Sequence, residues 1–337
     1  MIQSNFMNRI IVGDALRVLR EIPSEIIDMG VTSPPYNKGE NKKGWLVKNV
    51  KYKDSSDKVP EEAYQENQVA VLNELFRVTK SGGSFFYNHK VRWERGYMLH
   101  PMDWLRKTKW TIRQEIIWDR KIAANIRGWR FWQVEERIYW LYKPVDKHYI
   151  GQELKPKHAL LTSIWRLPPE NKNPHPAPFP IELPVRAIYS VMDNNKGIII
   201  DPYCGSGTTL VASKLLGHDY IGIEISKEYA DSAEIRLLNC ENERKDTLSE
   251  IAKHIVTRTF FERKADGMYT GRHGVKYTPK EEPIPLKLFE PTANYDKQTK
   301  NKPTRKKKSD PDRRLELREE VLQRLKAHQA SKKTSQV

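Results

Sequence analysis

The chain has 337 residues, 38% hydrophobic and 30% charged, with a formal net charge of +16. That length can bury one large α/β core with appended elements, and the charge points to an acidic polymer as macromolecular partner. Its two cysteines, Cys204 and Cys240, exclude a disulfide framework and a pair at metal-ligand spacing, which fits a reducing, cytoplasmic setting. No apolar run approaches the roughly 18 to 20 residues of a membrane span, and the first six residues lack an export signal's basic start and apolar core, so no membrane is expected.

Ile10 to Val12 reads as a short strand ending in Gly13-Asp14, and residues 15 to 22 have helical spacing before Pro23 stops them. Asp14 therefore lies at a strand's C-terminus, where it suits a helix N-cap or a cofactor carboxylate equally. Ile26 to Val31 is the next strand, and it runs into Thr32-Ser33-Pro34-Pro35-Tyr36-Asn37. Open α/β sheets place their sites at such strand ends. The two prolines fix φ and remove two backbone donors, leaving a stiff loop of carbonyls with one aromatic face. A flat ligand with an exocyclic amino group suits it: Ser33 Oγ and a carbonyl of the Ser33-Pro34 pair would accept from the N–H groups, while the ring of Tyr36 stacks and its hydroxyl is not required. A strand-end turn without a ligand is the competing reading.

Residues 38 to 60 are polar and lysine-rich, including Lys42 and Lys43, with Trp45 and Tyr52 interleaved; they read as a loop over the site that meets phosphates and unstacked bases. Glu61 to Lys80 is expected as a helix stopped by Ser81-Gly82-Gly83, followed by a strand at Ser84 to Tyr87, a short helix at Met102 to Thr108, and strands at Thr111 to Trp118 and Arg137 to Tyr142. Periodicity is lost from Asp119 to Gln133, where Arg127, Trp129, Arg130, Phe131 and Trp132 give an arginine–aromatic surface suited to DNA.

A proline-dense stretch, Asn173 to Pro180, leads into a helix running to about Met192, and Gly197 to Ile200 is a buried strand. That strand delivers Asp201-Pro202-Tyr203-Cys204-Gly205-Ser206-Gly207-Thr208-Thr209 to a helix from Leu210 to Leu216. An acid at a strand end, then glycines, then a helix N-terminus is how α/β sheets cradle a nucleoside-like cofactor. No lysine follows Gly207, so the triphosphate loop is excluded, and the dinucleotide spacing also fails. Tyr220 to Ile223 is another strand, ending in Glu224, whose carboxylate could chelate two ribose hydroxyls. Residues 226 to 245 read as one helix and 246 to 255 as another. Pro291 to Val337 holds 14 Lys/Arg against 6 Asp/Glu, half of the net charge, as a basic linker and a final helix.

Three motifs in order, Thr32 to Tyr36, His175 to Pro180 and Asp201 to Thr209, resemble the S-adenosylmethionine-dependent DNA amino-methyltransferases. The resemblance covers roughly residues 8 to 240, and the order, catalytic loop first, is similar to the family's β group. It implies a circularly permuted, Rossmann-like α/β fold with a mostly parallel seven-stranded sheet. The implied domains are a catalytic one over 1–245 with DNA-contacting insertions at 38–60 and 119–165, an extension over 246–290, and a basic tail over 291–337.

The resemblance also implies the roles. Ser33, Pro34, Pro35 and Tyr36 match the family's catalytic loop. Asp201, Gly205, Gly207 and Thr208 match its cofactor loop, Glu224 its ribose acid, Asp14 the acid near the adenine, and Phe179 the aromatic at the methionine end. The cofactor is S-adenosyl-L-methionine, and no metal is expected. Lys42, Lys43, Arg127 and Arg130 are the expected DNA contacts. The partner is double-stranded DNA, with a cognate restriction endonuclease as a second candidate and a monomer or homodimer as the assembly. The acceptor is the exocyclic amine of a flipped base. In this family a serine before the two prolines favours N4 of cytosine, with N6 of adenine as the alternative. A C5-cytosine enzyme would need a thiolate in the base loop, where this chain has none. A protein glutamine methyltransferase is disfavoured by the permuted order, and an inactive DNA-binding protein by the intact motifs.

Overall fold

The computed structural model describes residues 5–37, 59–123, 128–146, 151–154, 162–170, 178–192, 195–254 and 265. The chain divides into two units, Met1–His254 and Ile255–Val337, and the second lies outside the described residues apart from Ala265. Lys42, Lys43, Arg127 and His175 likewise fall outside them.

In chain order the strands are β1 (Arg9–Val12), β2 (Ile27–Thr32), β3 (Thr79–His89), β4 (Arg92–Glu94), β5 (Tyr97–Leu99), β6 (Thr111–Asp119), β7 (Glu135–Tyr142), β8 (Ile164–Arg166), β9 (Ile198–Asp201) and β10 (Asp219–Glu224). The helices are α1 (Ala15–Glu21), α2 (Glu61–Val78), α3 (Met102–Leu105), α4 (Glu182–Met192), α5 (Thr208–Leu215), α6 (Lys227–Leu238) and α7 (Arg244–His254). The main sheet runs β1-β10-β9-β2-β3-β7-β6-β8, and β4 and β5 form a separate hairpin. Only β7 is antiparallel to both of its neighbours. Among the described residues the sheet therefore has eight strands where seven were expected. The extra one, β8, is a three-residue edge strand parallel to β6, too short to leave a periodic signal in the sequence.

Burial explains the element types. Ile198, Ile199 and Ile200 on β9 and Ile221 and Ile223 on β10 are buried on both sides, as β-branched runs in a parallel sheet should be. Helices pack in two groups: α1 on α2 and α2 on α3, and α4 on α5 and α7 with α5 on α6. Leu72, Leu75, Trp104, Phe85 and Tyr139 share one core cluster with Leu19 and Ile200.

Two expected boundaries move for local reasons. The helix from Glu61 stops at Val78, because buried Thr79 adopts extended backbone and its hydroxyl donates to the Leu75 carbonyl (2.7 Å). The glycine pair then lies inside β3: a Cβ on Gly83 would come within 2.9 Å of the Asp28 carbonyl, and the β2–β3 register shifts between Ile27 and Met29. Glycine here permits an irregular strand rather than ending a helix. The single helix expected over 226–245 breaks at Asn239, whose side chain donates to the Ile235 carbonyl (2.9 Å), with a 3₁₀ turn over Cys240–Glu243 before α7. α7 is tied back to α4 by a buried pair, Arg186 Nε to Glu250 Oε1 (2.6 Å).

Candidate active site

Strands β9 and β2 are parallel neighbours, and from this pair the sheet order runs outward in both directions, to β10 and β1 on one side and to β3 on the other. A crevice at such a reversal is where open α/β sheets hold ligands. Both motifs sit there, 169 residues apart in sequence: the Thr32 hydroxyl donates to Asp201 Oδ1 (2.6 Å). The second carboxylate oxygen accepts from Thr209 Oγ1 (2.7 Å), and the Tyr203 backbone N–H donates to the first (3.1 Å). Asp201 is thus a buried clamp between the loops. Burial raises its pKa to about 6, against the lowering effect of the two hydroxyls.

The glycine loop turns tightly after Asp201. Gly205 and Gly207 have φ of 49° and 77°, and a Cβ on Gly207 would lie 3.0 Å from that of Ala233 on α6. Glu224 at the end of β10 braces the loop: its carboxylate accepts from the Gly205 N–H (2.8 Å) and the Ser226 N–H (3.0 Å). Val12 and Glu224 are register partners across β1 and β10, so Asp14 follows beside the same strand end. The Asp14 side chain caps α1 by accepting from the Arg17 N–H (2.9 Å), and it is exposed. Val12 (47%) and Ile225 (46%) leave an apolar rim at these two ends. Phe179 is buried just before α4. The Thr208 hydroxyl accepts from Arg236 Nη1 (2.8 Å), and Arg236 is itself paired to Glu243 (2.6 Å), so this residue ties the loop to α6.

The proline loop is held from below by α2. The Tyr64 hydroxyl donates to the Pro35 carbonyl (2.8 Å) and lies 2.7 Å from His89 Nε2. Arg92 grips Glu61 with two 2.7 Å bonds and lies 4.9 Å from the Tyr64 ring centre. Asn37 bonds to Val59 from both ends of its amide (3.0 and 2.8 Å), which joins the flanks of residues 38–58.

Tyr36 departs from the stacking picture. It is buried, its ring lies 4.5 Å from that of His89, and its hydroxyl sits in a polar cluster. The hydroxyl donates to Glu136 Oε2 (2.8 Å), is 2.7 Å from Ser33 Oγ, and accepts from Asn88 Nδ2 (2.8 Å). Asn88 Nδ2 also approaches Ser33 Oγ (3.2 Å) and Glu136 Oε2 (3.0 Å), while its Oδ1 is buried with no hydrogen-bond partner among the described residues. Arg120 Nη1 pairs with Glu136 Oε1 (2.8 Å), and burial lowers the pKa of nearby Lys90 while Glu136 opposes the shift.

Asn88, Lys90 and Glu136 were not anticipated from sequence, and Arg120, which falls in the stretch read as an arginine–aromatic surface, pairs with Glu136. The signal was present in Asn88-His89-Lys90 closing an apolar strand and Glu136 opening another, since buried polar residues in strand ends must find partners. Arg130 lies outside this cluster, stacked on Trp93 and Trp129.

A Rossmann-like sheet with a glycine loop and a polar-proline loop joined at its switch point defines the methyltransferase fold. The family model described as DNA methylase, N6_N4_Mtase, matches residues 27–235, and the chain belongs to that family. It is 28% identical over 255 residues to the type II methyltransferase M.HinfI of Haemophilus influenzae, covering 69% of each chain. The DNA adenine methyltransferase YhdJ of Escherichia coli (strain K12) is 26% identical, over 67% of this chain and 81% of that one. A DNA modification methylase from Thermus thermophilus, solved in complex with S-adenosyl-L-methionine, superposes with a TM-score of 0.50 at 27% identity, over 69% of this chain and 94% of that one. Among the described residues no helix is long and apolar enough to cross a membrane.

Proposed function

We propose that the chain transfers a methyl group from S-adenosyl-L-methionine to the exocyclic amine of a base flipped out of double-stranded DNA. The observation that carries this reading is the Thr32–Asp201 bond, which brings the glycine loop and the Ser33–Tyr36 loop to adjoining strand ends. A methyl donor in one and an amine in the other would meet at the same crevice. The cofactor fits the residues present. Gly205 and Gly207 allow close backbone approach, Val12 and Ile225 offer an apolar rim for a flat ring, and Glu224 and Asp14 stand at the ends of β10 and β1 for the ribose and the adenine amine. Asp201 and Thr208 would hold the loop's shape, and Phe179 would line the methionine end. The complex of the Thermus protein with the same cofactor supports this assignment.

When bound, S-adenosyl-L-methionine supplies an electrophilic sulfonium methyl. Ser33 and the carbonyls of Ser33 and Pro34 accept from the amine's N–H groups and draw its lone pair out of conjugation toward the methyl. The amine held by Ser33 and the loop carbonyls would gain the methyl as its N–C bond replaced the S–C bond, the bonding pair staying with the departing thioether, and would release one proton to solvent. Positioning and fixed dipoles carry the rate, with no covalent intermediate. Tyr36, fixed by Glu136 and Asn88, holds Ser33 in place and presents its ring beside the base.

We put N4 of cytosine first, on Ser33 before the proline pair. N6 of adenine is the second reading, favoured by the likeness to YhdJ. The type II naming of the Haemophilus relative supports a restriction–modification setting with a cognate endonuclease. Digesting DNA methylated by the purified chain to nucleosides and weighing them tests the whole proposal: N4-methylcytosine is expected, N6-methyladenine would move the acceptor, and no methylated base would remove the function.

A further inference from the structure

The loop between β6 and β7 ends in an aromatic ridge whose exposure the catalytic pocket does not account for. Phe131 is 98% exposed, with Trp132 at 61% and Trp129 at 57%. Its neighbours hold one another. Arg130 lies 4.1 Å from the ring centre of Trp93, which precedes the β4–β5 turn, and 5.7 Å from that of Trp129, and the two tryptophans meet edge to face at 6.3 Å. Arg130 Nη1 also donates to the Phe131 carbonyl (3.0 Å). A stacked group of Trp93, Arg130 and Trp129 therefore lies beside a phenylalanine that is itself almost fully exposed.

The same loop is welded to the catalytic cluster. Its base is closed by the Arg120 N–H donating to the Val134 carbonyl (2.9 Å), and buried Gln133 donates from Nε2 to the Val91 carbonyl (3.1 Å). The Arg120 side chain then grips Glu136, which holds Tyr36. Phe131 thus projects from the end of the sheet where the base is bound. A bare aromatic flanked by a guanidinium is costly as surface decoration, but it fits an aperture between stacked bases beside phosphates. In sequence the loop over 119–134 carries Arg120, Lys121, Arg127 and Arg130 against one acid, Asp119, which favours that occupant over an apolar protein face.

The geometry points to Phe131 as the wedge that enters the duplex at the target step and fills the space left by the flipped base. This rests on the DNA methylation reading above and adds to it the residue that opens the stack. The target sequence is first mapped in DNA from cells expressing the full chain. Methyl transfer is then measured on two duplexes that differ only in the base opposite the target, paired or mismatched, since a mismatched base leaves the stack more easily.

Phe131→Ala should lose about ten- to a hundredfold in kcat/KM on the paired duplex, the range seen when a stacking aromatic is truncated. On the mismatched duplex it should return to within about threefold of the unmodified chain, and Phe131→Leu should lie between. Equal loss on both duplexes would make Phe131 a general DNA contact and overturn the wedge. So would full activity on both, and if that variant also changed from dimer to monomer on a sizing column, the ridge would belong to a second copy. A chain that methylates neither duplex before mutation would remove the DNA reading itself, an outcome distinct from failure of the wedge.

Discussion

Removing one oxygen from Tyr36 separates two accounts of the Ser33–Tyr36 loop. If the residue only stacks, Tyr36→Phe keeps the ring and turnover changes little. The hydroxyl, however, meets Glu136, Ser33 and Asn88 at 2.7–2.8 Å in a largely buried site. A hydrogen bond to a charged group is worth about 1.5–3 kcal/mol and a neutral one about 1 kcal/mol, and the Glu136 oxygen keeps a donor in Asn88 Nδ2 (3.0 Å). The loop should therefore lose roughly 2–3 kcal/mol of organisation. If most of it falls on the positioning of Ser33, kcat drops by about 30- to 100-fold while cofactor affinity holds. Tritiated methyl transfer to duplex DNA gives the first number and calorimetry with S-adenosyl-L-methionine the second. Turnover within about threefold of the unmodified chain would refute the argument and restore the ring-only role.

Glu224→Gln keeps one acceptor for the Gly205 and Ser226 N–H groups and removes the other. It should weaken S-adenosyl-L-methionine binding by about tenfold or more with little change in cofactor-free DNA affinity; unchanged calorimetric affinity would remove the cofactor assignment. Two buried groups give opposed pH slopes. Asp201, raised from 3.8 to about 6, contributes stability that is complete below pH 3.8 and lost as pH rises through about 6. His218, depressed by burial from 6.5 to about 4, contributes stability present above pH 6.5 and lost as pH falls through about 4. Between pH 6.5 and 4, then, Asp201→Asn should lose stability on acidification more steeply than the unmodified chain, and His218→Leu less steeply. Urea midpoints at about pH 7 and pH 5 that shift in parallel for all three proteins would contradict both assignments. Deleting residues 291–337 removes half of the net charge, so DNA affinity should fall and depend less on salt; an unchanged salt slope would assign the tail to something other than DNA.

What could be read in the sequence was whatever local chemistry dictates. Strands β1 and β9 are short β-branched runs, β2 and β10 mix β-branched residues with a glycine, and both loops at the crevice announce themselves through proline, glycine and carboxylate. The unread part depends on contacts between distant segments. Asn88, Arg120 and Glu136 are ordinary polar residues until β3, β6 and β7 pair, and the antiparallel pairing of Asn88 with Ile138 brings Glu136 near Asn88. Thr208 matched a cofactor motif, yet only the fold reveals Arg236 as the donor its hydroxyl meets. Tyr36 was legible as an aromatic beyond the end of β2, and the burial of its hydroxyl was not.

The Asp201 carboxylate explains why two motifs so far apart in sequence belong to one reaction. Thr32 ends β2 immediately before Ser33, and Thr209 lies in the first turn of the helix after the glycine loop; both donate to that one side chain. An unpaired carboxylate at this depth would be strongly disfavoured, and its raised pKa records the desolvation that the two hydroxyls only partly offset. Neither loop can shift without stranding a buried charge. Asp201 thereby couples the position of Ser33 to that of the glycine loop, a more direct use of its charge than contact with the cofactor. A methyl donor and an acceptor amine must meet in line within a few tenths of an ångström, and one shared buried acid is an economical way for a sheet to hold both loops to that tolerance.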